Sequence, residues 1–284
     1  MPDSQFSRSS FFNSEKSRYK IIINKDDSFS LPLNIKIGKL VISTKPSGKD
    51  YYSGRQYKGE FSLDVPEELE KKLKKAVTIL EKADGIIVPI GWGERGVEGK
   101  IDAITYAREN KIPFLGLCYG MQLASVEFAR NVVGLKDAHT SEVRPDTPYP
   151  IIHDIPFEEK YQKIKGDGAS MRLGAYDCVL KPGSLAHQIY SKHDGFKNKK
   201  ESLISERHRH RYEFNNEYRE ILEKNGFVIS GTSPDNFFVE MIELPQKDHP
   251  FFLATQAHPE YKSRPLKPHP IFIEYLRAAV KKKV

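Results

Sequence analysis

A chain of 284 residues, 38% hydrophobic and 29% charged, can bury a sizeable core as one α/β domain with decorations. Lysine and arginine exceed aspartate and glutamate by 45 to 38, a formal charge of +7, but they are spread along the chain, so a nucleic-acid partner is not indicated. The two cysteines, Cys118 and Cys178, make neither a disulfide framework nor a metal-ligand spacing, no apolar run approaches a membrane span, and the N-terminus lacks a secretory core; the expectation is a soluble, cytoplasmic protein with no membrane contact and no cofactor.

Residues 1–18, rich in serine and without periodicity, read as a loosely ordered arm, and 19–284 as one domain. Residues 19–24 and 33–43 look like strands, and the turn-rich piece between them, 25–32, is too short for a crossover helix. An exposed loop follows over 44–61. Asp64 then caps a helix whose Leu69, Leu73, Val77 and Leu80 make one apolar stripe. The run Gly85–Ile90 is continuous and apolar, as in a strand buried on both faces of a parallel sheet. After a turn at Gly91-Trp92-Gly93 come a helix over 100–110, a strand over 113–117, and a helix whose Met121, Ala124, Ser125 and Phe128 share a face. From 143 to 205, prolines and glycines break the chain into pieces expected to be short antiparallel strands and loops. A helix bearing Tyr218, Ile221 and Leu222 stops at Asn225-Gly226. Strands at 227–230, 239–244 and 251–254 and a helix over 271–280 close the chain. Strand and helix alternate in the doubly wound manner, which puts sites at the carboxyl ends of strands.

The candidate chemistry is centred on Gly116-Leu117-Cys118-Tyr119-Gly120. A G-x-C-x-G stretch between strand and helix puts a nucleophile on a sharp turn, and its glycines let neighbouring backbone come close. Backbone N–H groups and the helix N-terminus beside the sulfur favour thiolate and can hold an oxyanion. The base expected for Cys118 is His258, at the end of a core strand, with Glu260 two residues on to fix its tautomer. The bland readings are a buried structural cysteine and a packing histidine. The conjunction of the two stretches favours a Cys-His-Glu triad.

G-L-C-Y-G-M-Q together with T-Q-A-H-P-E resembles the class I glutamine amidotransferases, and in particular the amidotransferase domain of the CTP synthases. Further blocks carry the likeness: Val88-Pro89 through Ile101, Tyr106–Asn110, Glu127–Val132, Met171–Gly174, Glu206–Glu213 and Ser263–Pro265, over residues 84 to 279. The resemblance implies a flavodoxin-like three-layer sandwich with a mostly parallel central sheet. It implies glutamine hydrolysis through a Cys118 thioester, with ammonia passed to a separate amidoligase that aminates UTP to CTP. It also implies that Gly91, Tyr119, Gly120, Met121 and Gln122 border the glutamine, that Glu142 meets its α-amino group, and that Arg211 lies near the pocket. The chain departs from the pattern at Ile90, where a glycine is usual, at Tyr119, where leucine is usual, and in residues 19–61, and no synthetase part is expected within these 284 residues. Those departures keep two alternatives open, a catalytically impaired homologue that binds or regulates, and a related cysteine amide hydrolase.

Overall fold

The computed structural model describes residues 75–154 and 171–281, together with three short strands before them, β1 (Ile22–Ile23), β2 (Ser28–Ser30) and β3 (Lys36–Lys39). The chain divides into two units, Met1–Glu81 and Lys82–Val284. In the first, β1, β2 and β3 form an antiparallel sheet in that order, and a helix, α1, covers 75–81. The segment 25–32, expected as a turn, therefore holds a strand. Antiparallel neighbours need only a tight connection, and Ser28-Phe29-Ser30 is too short to display a period. The expected arm at 1–18, the loop at 44–61 and the helix start at Asp64 lie outside the described residues.

In the second unit the main sheet runs, among the described residues, in the order β4 (Ile86–Val88), β5 (Phe114–Leu117), β13 (Phe252–Thr255), β12 (Val239–Glu243), β11 (Val228–Thr232), β8 (Arg172–Leu180), β9 (Leu203–His210). The fold is α/β, as expected, and β4, β5 and β13 form its parallel part; the four strands beyond them are antiparallel. Alternation along β5 divides its side chains between two layers. Leu115 and Leu117, with Leu253, pack with α4 (Leu185–Lys192) and the helix Pro270–Lys281. Gly116 faces the other way, onto α3 (Tyr119–Phe128), which packs beside α2 (Val97–Glu109). Helices α2 and α3 are joined by a part-buried fork, in which Arg108 Nε and Nη2 reach the Glu127 carboxylate at 2.9–3.1 Å. A smaller sheet, β10 (Tyr212–Phe214), β7 (Tyr149–Asp154) and β6 (Ala138–Thr140), packs against α3 and frames a second side of its N-terminus.

Two expectations are corrected here. The stretch 143–205 is not only short strands: it contains the nine-residue β8 and the helix α4. Ser184 caps α4 by accepting the His187 N–H, and the buried carboxylate of Glu243 accepts the N–H groups of Leu185 and Ala186 at 2.8 and 3.1 Å. That carboxylate, distant in sequence, completes a start signal that Pro182-Gly183 obscures. Second, β4 is not buried on both faces: it is an end strand among the described residues, with Ile87 44% exposed.

The glycines of the elbow have a steric cause. A Cβ on Gly116 would lie 2.8 Å from Ala254 Cβ and 2.9 Å from the Gly120 backbone, and one on Gly120 would lie 2.1 Å from the Val88 carbonyl oxygen. Strands β4 and β5 and helix α3 are thus in contact backbone to backbone. Gly120→Ala is expected to destabilise the protein by about 1–3 kcal/mol, measured by denaturant unfolding, because the clashing atom is backbone and cannot step aside.

Candidate active site

Parallel register brings the site together. Leu117 at the end of β5 is paired with Thr255 at the end of β13, so Cys118 and Gln256 leave adjacent strands side by side. The Cys118 N–H donates to the Thr255 carbonyl at 2.7 Å, and the Gln256 amide donates to the Cys118 sulfur at 3.6 Å. Cys118 then turns into α3 with φ 49° and ψ −99°, a conformation that costs a non-glycine residue about 1–3 kcal/mol. Its carbonyl accepts the first helical N–H groups, those of Met121 and Gln122.

His258 follows three residues after β13, and its N–H is held by the Arg207 carbonyl of β9 at 2.7 Å. Its Nδ1 lies 2.6 Å from Glu260 Oε1. A strand running on past His258 would put the two side chains on one side by alternation. The chain instead enters a short 3₁₀ turn, Pro259–Tyr261, which folds Glu260 back onto the ring. Tyr261 stacks on the imidazole with centroids 4.9 Å apart. The other ring nitrogen, Nε2, is buried and has no hydrogen-bond partner, as has Glu260 Oε2. An orphaned buried nitrogen on a histidine oriented by a carboxylate is suited to exchange a proton with an incoming group.

The thiol itself is held neutral. Burial pushes the Cys118 pKa up to about 12; the Tyr119 N–H and the Gln256 amide pull it down, while the charges of Glu213 and Glu260 push it further up. The sequence reading, from the helix N-terminus alone, expects thiolate; burial and two carboxylates outweigh that dipole. Proton loss from Cys118 therefore needs an acceptor beside it.

The residues expected to line a pocket are placed as follows. Tyr119 is buried and its hydroxyl donates to the Gly93 carbonyl at 2.6 Å; Gly91 sits against its ring. Gly120 and Met121 are buried in the packing of α3, Met121 with its side chain in the core. Gln122 donates to the Tyr212 carbonyl at 2.9 Å and to Gln256 Oε1 at 3.2 Å, so it orients the amide that reaches the sulfur. Glu142, just after β6, accepts the Gly93 N–H at 3.0 Å, and its carboxyl is raised by burial against the lowering effect of that bond and of Arg211. Arg211 is exposed and electrostatically in range of Glu142. Ile90, at the departure from the family pattern, is 39% exposed, so its side chain does not fill a buried pocket.

Sequence reasoning missed Gln256 and a buried ionic cluster. Gln256 lies two residues before His258, and that spacing was the available signal. The cluster comes from strand alternation in Glu206-Arg207-His208-Arg209-His210-Arg211: the acid and both histidines are buried, while the arginines are exposed. On β8, Arg172 is opposite His210, lies between the rings of Tyr176 and Phe238, and donates to Glu213 at 2.9 Å and Glu240 at 2.7 Å. His210 Nε2 is 2.6 Å from Glu213 Oε1. Burial holds both His208 and His210 toward the neutral form, leaving Arg172 to balance the carboxylate whose charge acts on Cys118.

Residues 60–278 match the family model described as glutamine amidotransferase class-I. The chain is 57% identical over 202 residues to the CTP synthase of Carboxydothermus hydrogenoformans and 56% identical over 203 residues to that of Geobacillus kaustophilus. These alignments take in 71% and 72% of this chain but 35% and 36% of the relatives, so the chain spans about a third of the length of the curated relatives it matches. Among solved structures, the Trypanosoma brucei CTPS glutaminase domain with bound acivicin is similar at 39% identity and a TM-score of 0.64, covering 73% of this chain and 75% of that one.

Because a neutral thiol alkylates only through its thiolate fraction, iodoacetamide should label Cys118 slowly at pH 7 and about tenfold faster per pH unit up to pH 10, followed by mass spectrometry. Rapid labelling independent of pH would mean that Cys118 is already ionised. Arg172→Met should cost about 3–5 kcal/mol in denaturant unfolding, since it leaves Glu213 and Glu240 buried without their cation.

Proposed function

The chain belongs to the glutamine amidotransferase class-I family, and from that membership we propose that it hydrolyses L-glutamine as the glutaminase part of a CTP-synthase-type system. The observation that carries the reading is the strained Cys118 elbow joined through one pair of parallel strands to a Glu260-oriented His258 whose Nε2 is unengaged.

In this reading His258 Nε2 takes the Cys118 proton as sulfur attacks the carboxamide carbon of glutamine. The resulting oxyanion is held by backbone N–H groups, that of Tyr119 foremost. The protonated imidazole returns its proton to the amine as the C–N bond breaks, so ammonia leaves and a γ-glutamyl thioester remains on Cys118. A water molecule, deprotonated by the same nitrogen, attacks that carbon; glutamate leaves and the thiol is restored. Glu260 keeps Nδ1 protonated and stabilises the imidazolium between steps. Glu142, with Arg211 beside it, supplies charges for the α-ammonium and α-carboxylate of the substrate.

The ammonia acceptor in this proposal is a separate amidoligase part that aminates UTP to CTP. The relatives called CTP synthases are about three times as long as the matched region, which leaves room in them for such a part. Cys118 and Cys178 are free thiols, which fits a reducing cytoplasm. No helix among the described residues is long and apolar enough to cross a membrane.

Glutamate and ammonia release from L-glutamine by the purified chain tests the proposal. Cys118→Ala should abolish it, and His258→Ala should lower kcat by about 10²–10⁴-fold. Absence of Cys118-dependent glutamate release, both alone and with the amidoligase part of a CTP synthase added, would overturn it.

A further inference from the structure

The turn between β4 and α2 is held at a single residue by two side chains from elsewhere. Gly93 has a φ of 68°, which suits glycine, and both of its backbone polar groups are taken. Its carbonyl accepts the Tyr119 hydroxyl at 2.6 Å, and its N–H donates to Glu142 at 3.0 Å. These partners stand on different supports, Tyr119 on the first turn of α3 and Glu142 after β6. The Tyr119 ring is 1% exposed. A Cβ on Gly91 would come within 3.2 Å of that ring, and the Lys100 ammonium lies 5.1 Å from its centroid. The position is therefore built for an aromatic ring with a polar tip.

Tyr119 also follows Cys118 directly, and its N–H acts on the thiol, pulling its pKa down. One residue thus joins the nucleophile to the turn: its backbone serves the sulfur and its phenol fixes Gly93. Between Gly91 and Gly93, Trp92 is 79% exposed, so the hydrogen bonds on Gly93 and the packing of Gly91 hold this turn, rather than burial of the tryptophan.

We propose that Tyr119 is a positioning residue, one half of a two-point latch on the turn 91–93, and that Glu142 is the other half, opened by substrate. A primary ammonium arriving at Glu142 competes with the Gly93 N–H for the same carboxylate. As that bond is given up, the Tyr119 hydroxyl remains to keep the turn at the N-terminus of α3. Leucine at this position would fill space beside Gly91 but could not hold Gly93, so the tyrosine fixes a turn that leucine would leave to its own torsions. The substrate half of the latch rests on the glutaminase reading; the Tyr119 half does not.

Trp92 is the sole tryptophan of the chain and lies inside the latched turn, so it reports on the latch without catalysis. In Tyr119→Phe the ring stays and only the hydroxyl goes. Its Trp92 fluorescence anisotropy should fall below that of the wild type with no ligand present, and kcat/KM for glutamine should drop about tenfold, the order of one lost hydrogen bond. Tyr119→Leu should loosen Trp92 likewise. In a Cys118→Ala background, L-glutamine should lower Trp92 anisotropy, and by more when Tyr119→Phe is added. If Trp92 is equally constrained in the wild type and in Tyr119→Phe, the latch is wrong, even where Cys118-dependent hydrolysis is intact. If Tyr119→Phe loosens Trp92 while no form of the protein, alone or with the amidoligase part of a CTP synthase added, hydrolyses glutamine, the Tyr119 half of the latch stands and the glutaminase reading fails.

Discussion

The close approach of three backbone segments at Gly116 and Gly120 is the constraint on which the site depends. With no side chains between them, β4, β5 and the first turn of α3 come together, and the chain has room to reverse only through the unfavourable torsions at Cys118. The strain is sustained because both ends are fixed: β5 is hydrogen-bonded between β4 and β13, and α3 is pinned to α2 by the Arg108–Glu127 fork. A fork between helices some distance from the sulfur therefore bears on the backbone geometry at Cys118.

The electrostatic design works against spontaneous reactivity. Cys118 is buried, beside carboxylates rather than cations, and the amide of Gln256 is the side chain that meets it. The helix N-terminus is present, but a few backbone dipoles do not compensate for removal of the sulfur from water. A thiol in this setting is held toward its protonated form. The Nε2 of His258 is buried with no hydrogen-bond partner, and the nearby carboxylates of Glu213 and Glu240 are engaged by Arg172.

Much of this was legible in the sequence, for reasons that differ by element. The strands at 114–117 and 252–255 are largely apolar runs with clear ends, the strand at 239–243 carries Val239, Met241 and Ile242, and α2 and the helix stop at Gly226 carry local signals of period and cap. Cys118, His258 and Glu260 could be named because each stands at the end of such a run within a distinctive short motif. What escaped was whatever depends on a distant partner. Helix α4 starts on the carboxylate of Glu243, the buried fate of His208 and His210 needs β8 opposite them, and the contact of Gln256 with the sulfur needs the parallel register with β5. The latch on Gly93 joins three segments whose only common property in sequence is nearness to a motif. His258 and Glu260 meet through a 3₁₀ turn, not through the alternation that a strand running on past 258 would give.

Strand β9 carries one further consequence, for how this chain can vary over evolutionary time. Its buried residues and its arginines alternate strictly, and the buried set supplies the partners of Arg172 and neighbours the site. Because the period is two, loss or gain of one residue would turn every member over at once, driving both arginines inward and bringing the acid and both histidines out. Point replacements on the outer positions 207 and 209 face no such barrier. The segment should thus accumulate substitutions on its outer side while its length stays fixed, a signature that related chains would carry as free variation at alternate positions inside an alignment block without gaps.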